Sequence, residues 1–308
     1  MFSKKLLIPL LSLSLLVTPA YSSHAAENTE AVETSVEGQG MLSPSSSSEN
    51  SESVFNGSGA GTSSEPVTDE KLETILKQVQ SQLPAENGTW AVFISDLVNG
   101  TEGSINDQKM QAASLIKLYI MGAVYENYDQ ITGQYGRDSV DSNLYSMITV
   151  SDNDAANTLT TYLGGGDSAA GMQAVNSFCQ AHGYDQTHMG RMLLASNEND
   201  DNYTSVGDCG HLLQEIYKQD TSGYTHAADM FNLLKAQTRC NKIPAQLPEG
   251  VKTANKTGEL DNVENDAGII YDSKNDVVIV FMSQNLSSAG SAQNTIATLS
   301  RTIYDYYN

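Results

Sequence analysis

Strand-forming segments stand at both ends of the apolar part of this chain and are separated by a long helical stretch. Residues 90–97 are rich in strand formers, and Asn99-Gly100 is a two-residue hairpin signal that leads to a second strand. Three more strand patterns follow late in the sequence, at 253–257, 267–272 and 276–282. Residues 112–237 show only helical and loop patterns. We therefore predict a mixed α/β fold of the α+β type, in which both ends share one five-stranded antiparallel sheet, flanked by helices, with an inserted all-helical lobe.

Amphipathic helices are expected to cover the faces of that sheet. The first helix carries an apolar repeat at helical spacing, made of Leu72, Ile75, Leu76, Val79 and Leu83. Thr68 precedes this repeat as a candidate N-cap, and Pro84 ends it. A closing helix is predicted at 292–306. A cleft is then expected between the sheet and the helical lobe, where ligand sites commonly form.

The first 66 residues do not have the composition of a folded domain. Residues 1–25 have the pattern of a secretory signal peptide. Its features are Lys4 and Lys5, an apolar stretch over 6–17, and Ser23-His24-Ala25 as a cleavage site. Residues 26–66 are rich in Ser, Glu, Gly and Thr without Lys or Arg, which predicts a disordered spacer. We expect one folded domain over 67–308 and export to the exterior, the cell envelope or the periplasm, with the signal either cleaved or kept as an anchor.

Charge and cysteine content narrow the possible partners. The formal net charge of −21 argues against nucleic acid, because binding phosphates requires clustered Lys and Arg. The three cysteines are too few for a disulfide scaffold and too widely spaced for a close-set metal site, so no metal or other cofactor is expected. In an exported protein, a bridge between Cys209 and Cys240 is the expected pairing, and buried free thiols, including Cys179, are the alternative.

A serine and a lysine interrupt an otherwise nearly apolar helical segment, residues 112–121. Ser114 and Lys117 are three residues apart and share one helix face, so the lysine amine can approach the serine hydroxyl. Desolvation lowers the pKa of a buried lysine and suits it to accept a proton from serine. The helix N-terminus also directs backbone N–H groups at any oxyanion formed there. Taken alone, such a pair is more often a serine N-cap and a lysine that extends to water.

Two tripeptides carry polar groups suited to the same chemistry. Ser151-Asp152-Asn153 supplies a hydroxyl that can relay a proton and an amide that can hold a substrate amide, while its aspartate is expected to order the loop through backbone hydrogen bonds. Lys256-Thr257-Gly258 ends a strand; its lysine and threonine can bind a substrate carboxylate, and its glycine permits close backbone approach. The backbone N–H groups of Glu259 and Ser114 could form an oxyanion hole. Alone, each tripeptide is common in turns or at strand ends.

In this order, the three motifs resemble those of the class A β-lactamases and penicillin-binding proteins. The resemblance runs from Trp90 through the closing helix and includes Asn157, four residues after Asn153. It implies a β-lactamase-like fold and a monomeric serine hydrolase that is acylated on Ser114. The catalytic residues that it implies are Ser114, Lys117 and Ser151; the substrate-binding residues are Asn153, Lys256, Thr257, Gly258 and the backbone of Glu259, with Asn157 supporting a loop. The implied ligand is a small β-lactam or a D-alanyl peptide, with no cofactor, metal or nucleic acid.

The sequence departs from this family at the residue that breaks down the acyl-enzyme. Class A β-lactamases place a glutamate two residues after an arginine, on a loop between two helical stretches. In the matching segment, 188–204, Leu193 stands two residues after Arg191. Glu198, with Asn202 four residues on, has the family's glutamate-to-asparagine spacing and is the candidate catalytic base. An exposed acid without a catalytic role is nevertheless the favoured interpretation of Glu198, because a general base must reach its water.

Two further departures concern the borders of the cleft. No arginine occurs from 259 to 300, so Lys256 and Thr257 are expected to bind a substrate carboxylate, helped by Arg239. The span between Ser114 and Ser151 is short for the family. A trimmed loop near Tyr135 is therefore expected beside the cleft.

These residues leave three functions open. The leading one is class A β-lactamase-like hydrolysis of β-lactam amides through a Ser114 acyl-enzyme. The second, motivated by the missing glutamate, is a D,D-peptidase-like or esterase-like penicillin-binding hydrolase with slow deacylation. The third is a non-catalytic cell-wall or antibiotic-binding module, which the intact Ser114 and Lys117 disfavour.

Overall fold

The computed structural model describes residues 69–308; the predicted signal and spacer and the candidate cap Thr68 lie outside the described residues. The strands are β1 Thr89–Asp96, β2 Thr101–Ile105, β3 Met110–Gln111, β4 Tyr203–Thr204, β5 Lys252–Leu260, β6 Val263–Tyr271 and β7 Val277–Gln284. Five of them form one antiparallel sheet in the order β2-β1-β7-β6-β5. The predicted five-stranded antiparallel sheet is therefore confirmed.

The strands that come first and last along the chain, β1 and β7, are direct neighbours in this sheet. β1 pairs with β7 along its whole length, from Thr89↔Gln284 to Asp96↔Val277. β7 is joined to β6, and β6 to β5, which leaves β5 as an edge strand. The segments at the two ends of the described chain thus share the sheet, and the residues between them fold elsewhere.

Helices cover both faces of the sheet and fill the inserted lobe. They are α1 Glu70–Gln82, α2 Ile116–Glu126, α3 Tyr128–Tyr135, α4 Arg137–Thr149, α5 Asn153–Leu163, α6 Ser168–Ala181, α7 Val206–Tyr217, α8 Ala227–Lys235 and α9 Ala289–Tyr307. α1 and α9 pack their apolar stripes against one face of the sheet. α7 packs on the opposite face, where the core continues into the lobe around α2. Because both faces are covered, β7 is apolar at consecutive positions and buried nearly throughout.

Two local predictions differ from the structure. The N-cap of α1 is Asp69, whose carboxylate accepts the N–H groups of Lys71 and Leu72, so the capping role does not fall to Thr68. The loop between β1 and β2 has four residues, 97–100, where the Asn99-Gly100 signal predicts two. Asp96 explains the longer loop, because its carboxylate accepts two backbone N–H groups within it.

The predicted bridge between Cys209 and Cys240 is wrong. Cys179, Cys209 and Cys240 are all free thiols in the structure. Cys209 lies in the core on α7, where its sulfur is 3.4 Å from the hydroxyl of Tyr119. Cys240 is exposed after α8, so the two thiols occupy different environments. The alternative of free thiols describes Cys179 and Cys209, which are both buried.

Within residues 69–308, no helix combines the length and the apolar character needed to cross a membrane.

Candidate active site

Ser114 lies in a short 3₁₀ turn, Ala113–Leu115, that leads directly into α2. Ala113 has φ +47°, a left-handed conformation that costs free energy in a residue with a Cβ atom. The surrounding contacts maintain it: the amide of Asn265 donates to the carbonyl groups of Gln111 and Ala112, at 2.9 and 3.2 Å. The serine is therefore presented from a fixed and strained turn.

The side chain of Lys117 is fully buried one turn after Ser114 and points back toward it. Its Nζ lies 3.1 Å from Ser114 Oγ, 3.2 Å from Ser151 Oγ and 2.7 Å from Asn153 Oδ1. Burial lowers the pKa of Lys117 to about 8, against the opposing charge of Asp152. A neutral amine, able to accept a proton from Ser114, is thus accessible near neutral pH.

Ser151 connects the two buried lysines of the site. Its Oγ is 3.2 Å from Lys117 Nζ and 2.8 Å from Lys256 Nζ. Ser151 itself has φ +62°, a second strained residue that turns its hydroxyl into the cleft. Asp152 caps α5 by accepting the N–H of Ala155 at 2.7 Å, which is the loop-ordering role expected for it. The hydroxyl of Ser151 is therefore held where it can pass a proton between amines.

Lys256, Thr257 and Gly258 lie on the edge strand β5, and the side chain of Lys256 contacts this cluster through Ser151. Lys256 is fully buried, and burial, together with the positive charge of Lys117, holds its pKa well below the ordinary value. A Cβ atom added to Gly258 would lie 3.2 Å from the backbone nitrogen of Ser114, closer than side-chain packing normally allows. The glycine therefore permits the strand to approach Ser114, beside the backbone of Glu259.

Leu193 and Asn157 are joined by two hydrogen bonds. The amide of Asn157 accepts the N–H of Leu193 at 2.8 Å and donates to its carbonyl at 3.0 Å. The Leu193 side chain is buried in the apolar core of the lobe. Asn157 thus fixes the loop at Leu193, where the resemblance to class A β-lactamases predicts a glutamate, and the side chain found there is a hydrocarbon.

An internal ion pair shapes the rest of that loop. Arg191 Nε donates to Asp201 Oδ1 at 2.7 Å, and both side chains are largely buried. Asn202 accepts the N–H groups of Gly190 and Arg191, so its amide is committed to the backbone. Glu198 is exposed, and among residues 69–308 its carboxylate makes no hydrogen bond or ion pair. The structure brings Leu193, not Glu198, to Asn157.

A buried charge cluster behind β5 escapes the sequence analysis. Lys242 is fully buried and lies 2.6 Å from Glu264 Oε2 and 3.1 Å from Glu259 Oε1. Asp266 is also fully buried, and burial raises its pKa to about 6 even though Asn255 donates to it at 3.0 Å. The only local signal is the run of three polar residues, 264–266, inside a strand that is otherwise apolar.

The assembled groups suit nucleophilic acyl transfer. Ser114 has an amine within hydrogen-bond distance, and that amine reaches Ser151 and Asn153 as well. Gly258 on β5 lies against the backbone of the turn that carries Ser114. In the part of the chain that the structure describes, no group of three or more His, Cys, Asp or Glu side chains is placed to hold a metal ion.

Comparisons with known proteins agree with this architecture. The sequence model described as the β-lactamase enzyme family matches residues 71–135 and 135–307. No curated protein matches the chain by sequence. The structure of PBP-A is similar, with 22% sequence identity and a TM-score of 0.66 over 76% of this chain and 96% of that chain.

Two β-lactamase structures are similar to a comparable degree. The enzyme from Sphaerobacter thermophilus has 22% identity and a TM-score of 0.63, over 75% of this chain and 95% of that chain. A class A β-lactamase of the last common ancestor of Gram-negative bacteria has 20% identity and a TM-score of 0.65, over 76% of this chain and 100% of that chain. At these identities the structural likeness shows the fold alone, whereas the sequence model covers nearly all of residues 69–308. The chain belongs to the β-lactamase enzyme family.

Proposed function

We propose that this protein is an exported serine hydrolase that forms an acyl-enzyme at Ser114 with β-lactam or D-alanyl amides and hydrolyses it slowly. The observation that carries the proposal is the unbroken series of contacts from Ser114 through Lys117 and Ser151 to Lys256, none longer than 3.2 Å. Membership of the β-lactamase enzyme family supports the same chemistry.

Acylation begins with the neutral amine of Lys117. This amine takes the proton of Ser114 Oγ as the oxygen bonds to the carbonyl carbon of the substrate. The resulting oxyanion receives hydrogen bonds from the backbone N–H groups of Ser114 and Glu259. When the carbon–nitrogen bond breaks, Ser151 Oγ gives its proton to the leaving nitrogen and regains one from Lys117, so that the proton balance closes.

For deacylation, the described residues place no carboxylate where Asn157 holds the loop. A water that attacks the ester must lose a proton to a base. The side chain of Leu193 is a buried hydrocarbon and cannot accept that proton. Glu198 is exposed, and among the described residues no contact holds its carboxylate near Asn157. A leucine-to-glutamate variant of PBP-A has been observed as an acyl-enzyme complex with penicillin G, which supports acylation by a penicillin in a protein of this fold. We therefore expect the ester at Ser114 to be long-lived.

The setting of the reaction is proposed from the sequence. The signal-like residues 1–25 support export. The polar spacer over 26–66 would separate the folded domain from the signal segment, whether that segment is cleaved or kept as an anchor. We propose a monomer that takes small amide substrates without a cofactor.

Labelling by a fluorescent penicillin tests the proposed acylation. The wild-type protein should retain fluorescence after denaturation, because an ester survives unfolding. Ser114→Ala should abolish the label, and Ser142→Ala, an exposed serine on α4, should leave it unchanged. Rapid release of hydrolysed penicillin by the wild type would identify a fast β-lactamase instead. No label on a folded wild-type protein would favour a non-catalytic binding module.

A further inference from the structure

The regular pairing of β6 with β7 ends before either strand does. Its last pair in this direction is Asp266↔Phe281. β6 nevertheless reaches back to Val263, and β7 runs on to Gln284. Over these extra residues β7 remains paired with β1. Backbone groups at this end of β6 and β7 therefore need other hydrogen-bond partners.

The side-chain amide of Asn265 occupies this end of the pairing. Asn265 is fully buried, and its Oδ1 accepts the backbone N–H of Ser283 on β7 at 3.0 Å. Its Nδ2 donates to the carbonyl groups of Gln111 and Ala112, at 2.9 and 3.2 Å. An amide nitrogen has two N–H bonds, and both are used here. The amide thus ties β7 to the segment that enters the turn of Ser114.

A second side-chain amide holds the same segment. Gln284 Oε1, on β7, accepts the backbone N–H of Gln111 at 3.1 Å. The N–H and the carbonyl of Gln111 are therefore both bound by side chains of the sheet. The next N–H, that of Ala112, donates to the carbonyl of Asn202 at 2.9 Å. The backbone that leads to Ser114 is fixed at successive peptide groups, so its direction is set before the turn begins.

These restraints act beside the residue whose backbone is strained. Ala113 follows directly, with φ +47°, a conformation in which a Cβ atom crowds the backbone. A turn without the two amides would relax to negative φ, because that conformation is lower in energy for alanine. Ser114 would then move relative to Lys117, whose Nζ is 3.1 Å from Ser114 Oγ. A shift of about 1 Å is enough to break this hydrogen bond and can slow a reaction about 10²-fold.

We propose that Asn265 is a positioning residue for acylation: its amide keeps Ala113 in the left-handed conformation that places Ser114 Oγ beside the amine of Lys117. Gln284 has the same role through its single hydrogen bond to the segment. This inference rests on the proposed acylation of Ser114. Because Asn265 acts through the backbone, it should govern the rate of bond formation and leave the affinity for the acyl donor unchanged.

The maximal rate of acylation and the apparent affinity for the acyl donor test this role separately. Both are measured by rapid-quench intact-mass spectrometry of the protein mixed with increasing concentrations of penicillin G. Asn265→Ala should lower the maximal rate about 10²-fold, because Ser114 is displaced. The apparent dissociation constant should stay within about 3-fold of the wild type.

Ala113→Gly provides a rescue that a general structural defect would not show. Glycine adopts positive φ without a steric penalty, so a turn with glycine at this position needs no restraint. In the Ala113→Gly background, Asn265→Ala should therefore lower the maximal rate less than about 10-fold. A loss of core stability would instead have the same effect in both backgrounds.

Asn87→Ala is the matched control for the loss of a buried amide. Asn87 is 5% exposed, and its amide accepts the N–H of Ser288 at 2.9 Å and donates to the carbonyl of Ser288 at 3.1 Å. The variant breaks hydrogen bonds of the same kind just before α9 and away from the turn of Ser114. Its maximal rate should stay within about 2-fold of the wild type, because distant sites act independently.

Gln284→Ala keeps the test decisive if Asn265→Ala does not fold. The Gln284 side chain is only partly buried, so its truncation leaves a smaller cavity than truncation in the core. It should lower the maximal rate about 10-fold, and Ala113→Gly should reduce that loss as well.

The possible results separate this inference from the function on which it rests. An unchanged maximal rate in folded Asn265→Ala, or in Gln284→Ala where Asn265→Ala does not fold, would overturn the positioning role. A loss of rate that Ala113→Gly does not reduce would overturn it too. Failure of penicillin G to modify Ser114 in the folded wild type would instead overturn the proposed acylation.

Discussion

In the proposed mechanism, Ser114 depends for its reactivity on one buried amine. Lys117 is held by Ser151 and Asn153 in a place that water does not reach, so its proton is more easily lost than that of a surface lysine. With a pKa of about 8, roughly one tenth of the molecules carry the neutral amine at pH 7. In the proposed mechanism, this population limits how fast Ser114 can attack.

Acylation should therefore accelerate as pH rises through about 8. Below that pH Lys117 is protonated and cannot accept the serine proton; above it the neutral form dominates and the rate levels off. Stopped-time labelling with penicillin G between pH 6 and pH 9.5 measures the profile. Lys117→Arg, whose guanidinium stays protonated, should be about 10³-fold slower with no such rise. A wild-type rate independent of pH over this range would contradict the assignment of Lys117.

Leu193→Glu should shorten the lifetime of the acyl-enzyme. The variant puts a carboxylate on the loop position that Asn157 holds, where it can activate a water. We expect deacylation to be faster by about 10-fold or more, measured by the decay of the acylated mass after free penicillin is removed. Leu193→Gln has the same shape without the basic oxygen and should leave the decay slow. Equal lifetimes in the two folded variants would contradict the account of this position.

At the scale of elements, the loop over 188–204 is fixed by polar contacts and not by regular structure. Arg191 and Asp201 form its internal ion pair, and Asn157 and Asn202 bind its backbone. Such a loop keeps a defined shape only while each buried charge has its partner.

Arg191→Met should destabilise the protein by about 3 kcal/mol, because it leaves the carboxylate of Asp201 buried without its cation. Lys77→Met removes an exposed ion pair with Glu73 on α1 and should change the free energy of unfolding by less than about 0.5 kcal/mol. Urea unfolding of both variants measures the difference. If the two variants unfold at the same urea concentration, the loop is not stabilised as described.

Elements with a strong local period could be predicted from the sequence, whereas the loop contacts could not. The apolar repeat of α1 and the strand patterns at both ends record which side of each segment is buried. The contact between Ser114 and Lys117 could be predicted because residues three positions apart on a helix share a face. Lys242 with Glu264, and Asn157 with Leu193, are 22 and 36 residues apart, and no local pattern encodes such pairs. The bridge between Cys209 and Cys240 was wrongly predicted for the same reason, because no local pattern shows which distant residues come together.

At the scale of the whole molecule, the sheet joins both ends of the described chain and leaves the inserted helices to complete the site. β5 supplies Lys256 and the 3₁₀ turn before α2 supplies Ser114, while the end of α4 leads into Ser151. The core that supports these elements also encloses two of the three thiols.

Thiol reactivity should reflect this enclosure. Cys240 is exposed and should react promptly with a thiol reagent in the native protein. Burial raises the pKa of Cys209 to about 12 and raises that of Cys179 as well, so both should react only after unfolding. Titration with a chromogenic disulfide reagent should count one thiol in buffer and three in denaturant. One thiol in denaturant without reductant would indicate a bridge and contradict the structure.

Intact-mass spectrometry of the wild-type protein mixed with penicillin G, followed over time, tests the central claim most directly. The account predicts one adduct per chain, absent in Ser114→Ala, that forms readily and then decays far more slowly than it forms. A folded protein that gains no adduct and releases no hydrolysed penicillin would contradict it.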